Sequence, residues 1–288
     1  MNEFLEYAAR GKNSWWRYIL CCITAFIFVI IGLIVLLLPL TLAHALPADF
    51  AQELQHPKDA VAFFLGTGLT FGGLMLGLIA STAIFQRKRV RDIIGRWRWR
   101  YFLAGLVIWL GVQCLSVVVD FLIAPKGFSI TASQQTWSLA FAALVGISVQ
   151  SFAEEFIFRG YLTQGLLLAI KKPLPAAIVS GLIFGAAHIS NGIPQTANAV
   201  VFGIVCALIA IRTGGIAFTY GLHLTNNLFG AIVVVSSSDV FNGSPGILSQ
   251  NTPQLVWSDL VFSVLAFVAL AVIMVNGRIQ TFAADTRP

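Results

Sequence analysis

Side chains able to work on a peptide bond or a proton fall in three short patches of a mostly apolar chain. The first is Ser151-Phe-Ala-Glu154-Glu155-Phe-Ile-Phe-Arg159-Gly160. On a helix, Glu155 and Arg159 are i,i+4 neighbours in the favoured order and neutralise one another. Glu154 is then left without a nearby cation, and an unpaired buried carboxylate is a candidate general base or acid near neutral pH. The second patch is Phe184-Gly-Ala-Ala-His188, whose small residues let another helix come close to the histidine. In the third, His223-Leu-Thr-Asn-Asn227, the histidine and Asn227 share a helix face, so two polar groups point the same way. A lone histidine or a lone Glu–Arg pair in a membrane helix is often structural glue. Ionisable groups inside a bilayer cost roughly 2.5–3.5 kcal/mol each, however, so those retained there pair or do work. Apart from His44 and His56 in a polar loop, the histidines are these two, both on apolar runs downstream of the double glutamate.

The elements that must carry these groups are set by composition. The 288 residues are 58% hydrophobic and 10% charged, with mean hydropathy +0.85. A soluble domain carries roughly 25% charged residues, so the solvent of this chain is lipid and its fold class an all-α, polytopic transmembrane bundle. Runs of spanning length cover about 18–42, 60–85, 101–124, 137–158, 174–190, 196–212, 216–236 and 256–275. This predicts about eight spans, the fifth and sixth being short. The run 18–42 is too long for the ~7–15-residue core of a signal peptide and reads as a retained helix.

With residues 1–17 inside, alternation puts loops 86–100, 171–173 and 212–215 and the C-terminal tail on the same side. Together these hold fifteen Lys or Arg, against Lys58 and Lys126 outside, which predicts that both termini are cytoplasmic. Seven of the eighteen basic residues lie in 87–100, directly between two long apolar runs, where they suit anionic lipid headgroups rather than nucleic acid. Cys21, Cys22, Cys114 and Cys206 form no metal-binding spacing and read as small buried hydrophobes. Asp120, near the outer end of the third run, reads as interfacial.

Hairpin arithmetic joins the first two patches. Lys171-Lys172-Pro173-Leu174-Pro175 breaks a helix; Glu154 lies seventeen residues before Lys171 and His188 sixteen after Lys172. A helix that continues to about Ala169 therefore sets Glu154 beside His188, and part of 160–170 must leave the hydrocarbon. The proximity of His223 does not follow from spacing.

The three patches, in order, resemble the CAAX-protease and bacteriocin-processing (CPBP, or Abi) family of intramembrane endopeptidases. That family's pattern is Glu-Glu-x-x-x-Arg, Phe-x-x-x-His and His-x-x-x-Asn, met here by Glu154, Glu155 and Arg159, by Phe184 and His188, and by His223 and Asn227. The resemblance covers about 135–235 and divides the chain into helices 1–3 with the basic loop (1–130), a catalytic core (131–236), and a last loop, span and tail (237–288). It implies that Glu154 with His188 holds and activates a water, that His223 and Asn227 stabilise the oxyanion, and that Glu155, Arg159 and Phe184 support the site. It implies a peptide or protein substrate at the membrane, lipidated in some relatives, and a multi-pass location in a bacterial inner membrane. A metal-free reaction is favoured; zinc on Glu154, His188 and His223 is the alternative. A non-catalytic scaffold, a bacteriocin self-immunity-like protein and a proton-coupled transporter are the competing classes; the last would call for a repeat that the sequence lacks.

Overall fold

The computed structural model describes residues 3–44, 60–241 and 244–275. The polar loop 45–59 and the tail from 276, both assigned a side of the membrane above, lie outside the described residues. The architecture is the all-α bundle that composition predicts. Short α1 (Glu3–Ala9) precedes α2 (Trp15–Leu42), α3 (Ala60–Ser81), α4 (Val90–Ile94), α5 (Trp99–Ile123), α6 (Gln134–Glu154), α7 (Thr163–Ile170), α8 (Pro173–Ala186), α9 (Ile193–Thr213), α10 (Ala217–Leu228) and α11 (Leu255–Val275). A three-stranded sheet, β1 (Phe128–Ile130), β3 (Leu248–Gln250) and β2 (Val234–Ser236) in that spatial order, closes one end. Its β1–β3 pair is antiparallel and its β2–β3 pair parallel.

Among the described residues, six helical stretches are long and apolar enough to cross a bilayer: Trp15–Leu42, Ala60–Gln86, Trp99–Ile123, Gln134–Ile170, Ile193–Thr213 and Leu255–Met274. The chain is a multi-pass membrane protein, and exposed Ile19, Phe26, Leu103 and Leu265 are the lipid-facing side chains of such helices. The fifth and seventh expected spans are helical but short. α8 has 14 residues and α10 has 12, followed by a π turn at Phe229–Val233. The sixth expected span, by contrast, is a full 21 residues. At 1.5 Å per residue α8 rises about 21 Å, short of a ~30 Å hydrocarbon layer. His188 was expected inside this helix; it sits instead in the turn just past Ala186. Gln134–Ile170 runs as 37 continuous helical residues, about 55 Å, so one end must leave the hydrocarbon as the hairpin arithmetic requires.

Residues 3–12, 86–98, 163–172 and 212–216 meet at one end of the bundle, the grouping that the basic residues predict. Gly95 and Gly215 form a bridge, α1 packs on α4, α7 and α9, and Glu3 pairs with Arg96 at 3.1 Å and Arg98 at 3.3 Å. Arg10 reaches Asp92 at 3.0 Å, and the buried Lys88 Nζ donates to the Ala8 carbonyl at 2.8 Å. Part of the basic run is thus committed to α1; Arg87, Arg89 and Arg91 remain on the exposed surface.

In lipid the apolar effect does not press helices together, so close backbone approach at small residues holds them. α3 packs on α6, α5 on α10 and α8 on α9. A Cβ on Gly221 of α10 would run into the Phe102 carbonyl of α5, and one on Gly105 of α5 into the Phe218 carbonyl of α10. These contacts fix where α10, and with it His223, stands.

Candidate active site

Past Glu154 the backbone widens into a π-helical segment, Glu155–Leu162, before α7 resumes. Such wide turns change which side chains share a face and recur at functional sites. Here the consecutive Glu154 and Glu155 both reach the same imidazole. His223 Nδ1 is 2.9 Å from Glu155 Oε1, and its Nε2 is 3.6 Å from Glu154 Oε2. Glu155 Oε1 is also 3.1 Å from Arg159 Nη1, both side chains being shut off from solvent. The guanidinium lies over the rings of Phe184, at 4.2 Å, and Phe202, at 4.8 Å. Cation–π contact of this kind is worth up to ~2 kcal/mol when desolvated. Phe202 in turn meets the His223 ring edge-on with centroids 4.9 Å apart. Arg159, Glu155, His223 and Glu154 therefore form one buried chain of charge and hydrogen bonding.

The chemistry of the acceptors fixes both histidine tautomers. His188 Nδ1 lies 2.8 Å from the Phe184 carbonyl, which only accepts, so Nδ1 carries the proton. Glu155, paired with a guanidinium, likewise accepts from His223 Nδ1. Each histidine is left with Nε2 as its second functional nitrogen.

Glu154, His188, His223 and Asn227 all line one cavity of about 950 Å³. The short α8 accounts for the placement of His188. Irregular backbone at membrane depth is tolerated where it lines a water-filled hollow, and the 188–192 turn does so. Glu154 is not the isolated carboxylate its sequence neighbours suggest. Besides His223, Gln150 Nε2 donates to its Oε1 at 2.6 Å, while Oε2 makes no hydrogen bond among the described residues. Asn227 Nδ2 donates to Gln150 Oε1 at 3.1 Å and to Ser151 Oγ at 3.4 Å. Asn226 bonds Asn227 at 3.1 Å and accepts from the buried Trp109 Nε1 at 3.0 Å.

Gln150, Asn226, Trp109 and Phe202 are participants that sequence reasoning missed. Gln150 stands four residues before Glu154, an i,i+4 signal open to reading. Trp109 and Phe202 arrive from other helices, and nothing in their local sequence marks them.

A zinc ion needs three protein ligands and an open position. Histidines whose Nδ1 is tied to an acceptor have the orientation of metal ligands. Among the described residues, however, no three His, Cys, Asp or Glu side chains come together as a metal-holding group. Glu154 and His223 approach one another, while Glu155, the third such side chain beside them, faces the opposite ring nitrogen and Arg159, so the three do not converge on one point.

Comparison with known proteins bears on this segment. Residues 135–229, which contain all seven residues picked out by the three patches, match the Rce1-like family, described as type II CAAX prenyl endopeptidase Rce1-like. The uncharacterized protein YyaK of Bacillus subtilis (strain 168) is 25% identical across 96% of this chain and 94% of its own length. No solved structure matches the chain. The family resemblance carried by the motifs holds, and an endopeptidase family implies a peptide or protein substrate.

Proposed function

We propose, from a membrane chain that carries an Rce1-like domain, that the protein is an intramembrane endopeptidase in which Glu154 activates the attacking water. The single observation behind this is the juxtaposition of Glu154 and His223, from α6 and α10, on a cavity that also takes His188 and Asn227. Oε2 of Glu154 is the oxygen with a lone pair to spare. A water donating to it, and held from across the cavity by His188, is placed to attack a carbonyl. Glu154 takes the proton as the C–O bond forms and returns it to the amine as the C–N bond breaks, the two halves of general base and acid catalysis. The oxyanion needs donors aimed at its new charge. Asn227 Nδ2 supplies one by turning a proton away from Ser151 Oγ, its longer acceptor at 3.4 Å, and His223, when doubly protonated, supplies a second through Nε2–H. Glu155 fixes the ring by accepting from Nδ1, and Arg159 holds Glu155 in place through their ion pair. No step in this scheme passes through a metal.

The substrate is a peptide segment at the membrane, and the site of action a bacterial inner membrane. Arg87, Arg89 and Arg91 are the residues offered to anionic headgroups. The test compares membranes holding wild type with membranes holding Glu154→Gln, with cleaved termini read by mass spectrometry. Products present in the first and absent in the second are expected. An unchanged product set would leave a non-catalytic scaffold as the better description.

A further inference from the structure

Three carboxylates outside the family-matched segment face the same cavity. Asp120 comes from the last turns of α5, Asp259 from the first turns of α11 and Asp239 from the loop after β2. Asp120 and Asp259 stand close enough to act on each other. Asp239 is near enough to act on Asp259 electrostatically. Asp120, at the end of its span as its position in the sequence suggests, also lines the cavity. No ion pair joins any of the three to a lysine or arginine among the described residues.

The lining of the same cavity holds polar atoms that lack partners among the described residues. Gln250, only 3% exposed, keeps its Oε1 on the Thr252 N–H while its Nε2 is unsatisfied. Buried Oδ1 atoms of Asp259 and Asn198 are unsatisfied as well. Buried polar atoms are normally paired, and each exception calls for a partner. Two carbonyl-type acceptors and an amide donor, set among carboxylates, suit a peptide that brings both a cationic side chain and a backbone carbonyl. A cation beside Asp239 would offset the cost of burying its charge. Burial pushes its carboxyl above the ordinary range, although the Phe241 and Val240 N–H groups pull the other way.

We infer that Asp120, Asp239 and Asp259, with Gln250, form a subsite for a lysine or arginine of the substrate. This rests on the proteolytic reading of the neighbouring site. Spacing sets where the basic residue stands. Asp239 Oδ2 rests against Gly230, seven residues beyond His223 along α10 and its π turn, about 10 Å of helix. An extended peptide covers that in about three residues at ~3.4 Å each. The preferred substrate carries its cation about three residues from the bond that is cut.

The test uses the full chain in nanodiscs and two fluorescent peptides of leucine and alanine, one with a single lysine, the other with norleucine in its place. Fluorescence anisotropy reads binding, and mass spectrometry of the same samples reads cleavage. Wild type is expected to bind the lysine peptide about tenfold more tightly. Asp239→Asn and Asp259→Asn should each shrink that ratio to about two, and Glu154→Gln should keep it. Equal affinities for the two peptides in wild type would overturn the subsite without recourse to any variant, as would an undiminished ratio in both asparagine variants. A lysine preference with no cleavage by wild type would retain the subsite and remove the protease; cleavage with no preference would do the reverse.

Discussion

Changing Glu155 to glutamine alters one charge in the middle of the bundle and almost nothing in shape. The glutamine carbonyl can still accept from His223 Nδ1, and the Arg159 guanidinium can still stack on Phe184 and Phe202. What disappears is the anion 3.1 Å from Arg159 Nη1, in a place where both side chains are at most 1% exposed. Coulomb attraction at that distance is about 5 kcal/mol at an effective dielectric constant near 20. Breaking one half of a buried pair typically costs about 3–5 kcal/mol, a large part of a typical total stability of ~5–15 kcal/mol. Removing both charges in Glu155→Gln/Arg159→Met should bring stability back to within about 1 kcal/mol of wild type, since apolar replacements of buried pairs are often neutral. Equilibrium unfolding by SDS titration in mixed micelles reads these differences. Glu154→Gln, one residue away, should leave the midpoint in place, because Glu154 faces an imidazole and a side-chain amide instead of a guanidinium. A Glu155→Gln protein as stable as wild type, or a double variant no better than the single, would refute the buried-pair account.

Asn227→Ala should lower kcat by roughly 10²–10³ with little change in KM, the usual effect of deleting an oxyanion donor; steady-state cleavage of a membrane peptide measures both. Gly221→Val should drive α10 off α5, because its side chain meets the Phe102 carbonyl. A loss of about 1–3 kcal/mol in unfolding and a drop of roughly 10² in rate from the displaced His223 are expected. At the basic end, burial holds the Lys88 ammonium down to about 8, against the opposing pull of Asp92, from an ordinary value of 10.5. Between those values the unfolded chain binds more protons than the folded one, so stability should rise with pH from about 8 to about 10.5. Below that window the destabilising contribution is present in full, and Lys88→Met should flatten the rise in a series of unfolding midpoints.

Much of this arrangement is legible in one sequence because a bilayer imposes simple demands. Apolar runs must be helices, and the breaker at 171–175 must be a hairpin, so the long helix through Glu154 and its return past Phe184 follow. Periodicity is less informative about where an apolar helix stops. α8 ends at Ala186 although apolar residues continue, and the turn that holds His188 looks from sequence like more helix. The π segment is equally silent, since nothing in Glu155–Leu162, Gly160 included, separates a π turn from an α turn; yet it lets Glu154 and Glu155 meet opposite nitrogens of one ring. His223 reaches them through glycine contacts between α5 and α10 that no local pattern pairs. Asp120 drew little notice for the same reason: its partner Asp259 is far along the chain.

The most direct measurement is the hydrolysis rate of purified, chelator-treated protein in liposomes, wild type against Glu154→Gln, with zinc content determined on the same samples. The scheme predicts a wild-type rate that survives chelation at far below one zinc per chain, and a fall of roughly 10²–10⁴ in Glu154→Gln. Undiminished hydrolysis by Glu154→Gln would contradict it, and so would a wild-type rate that tracks stoichiometric zinc.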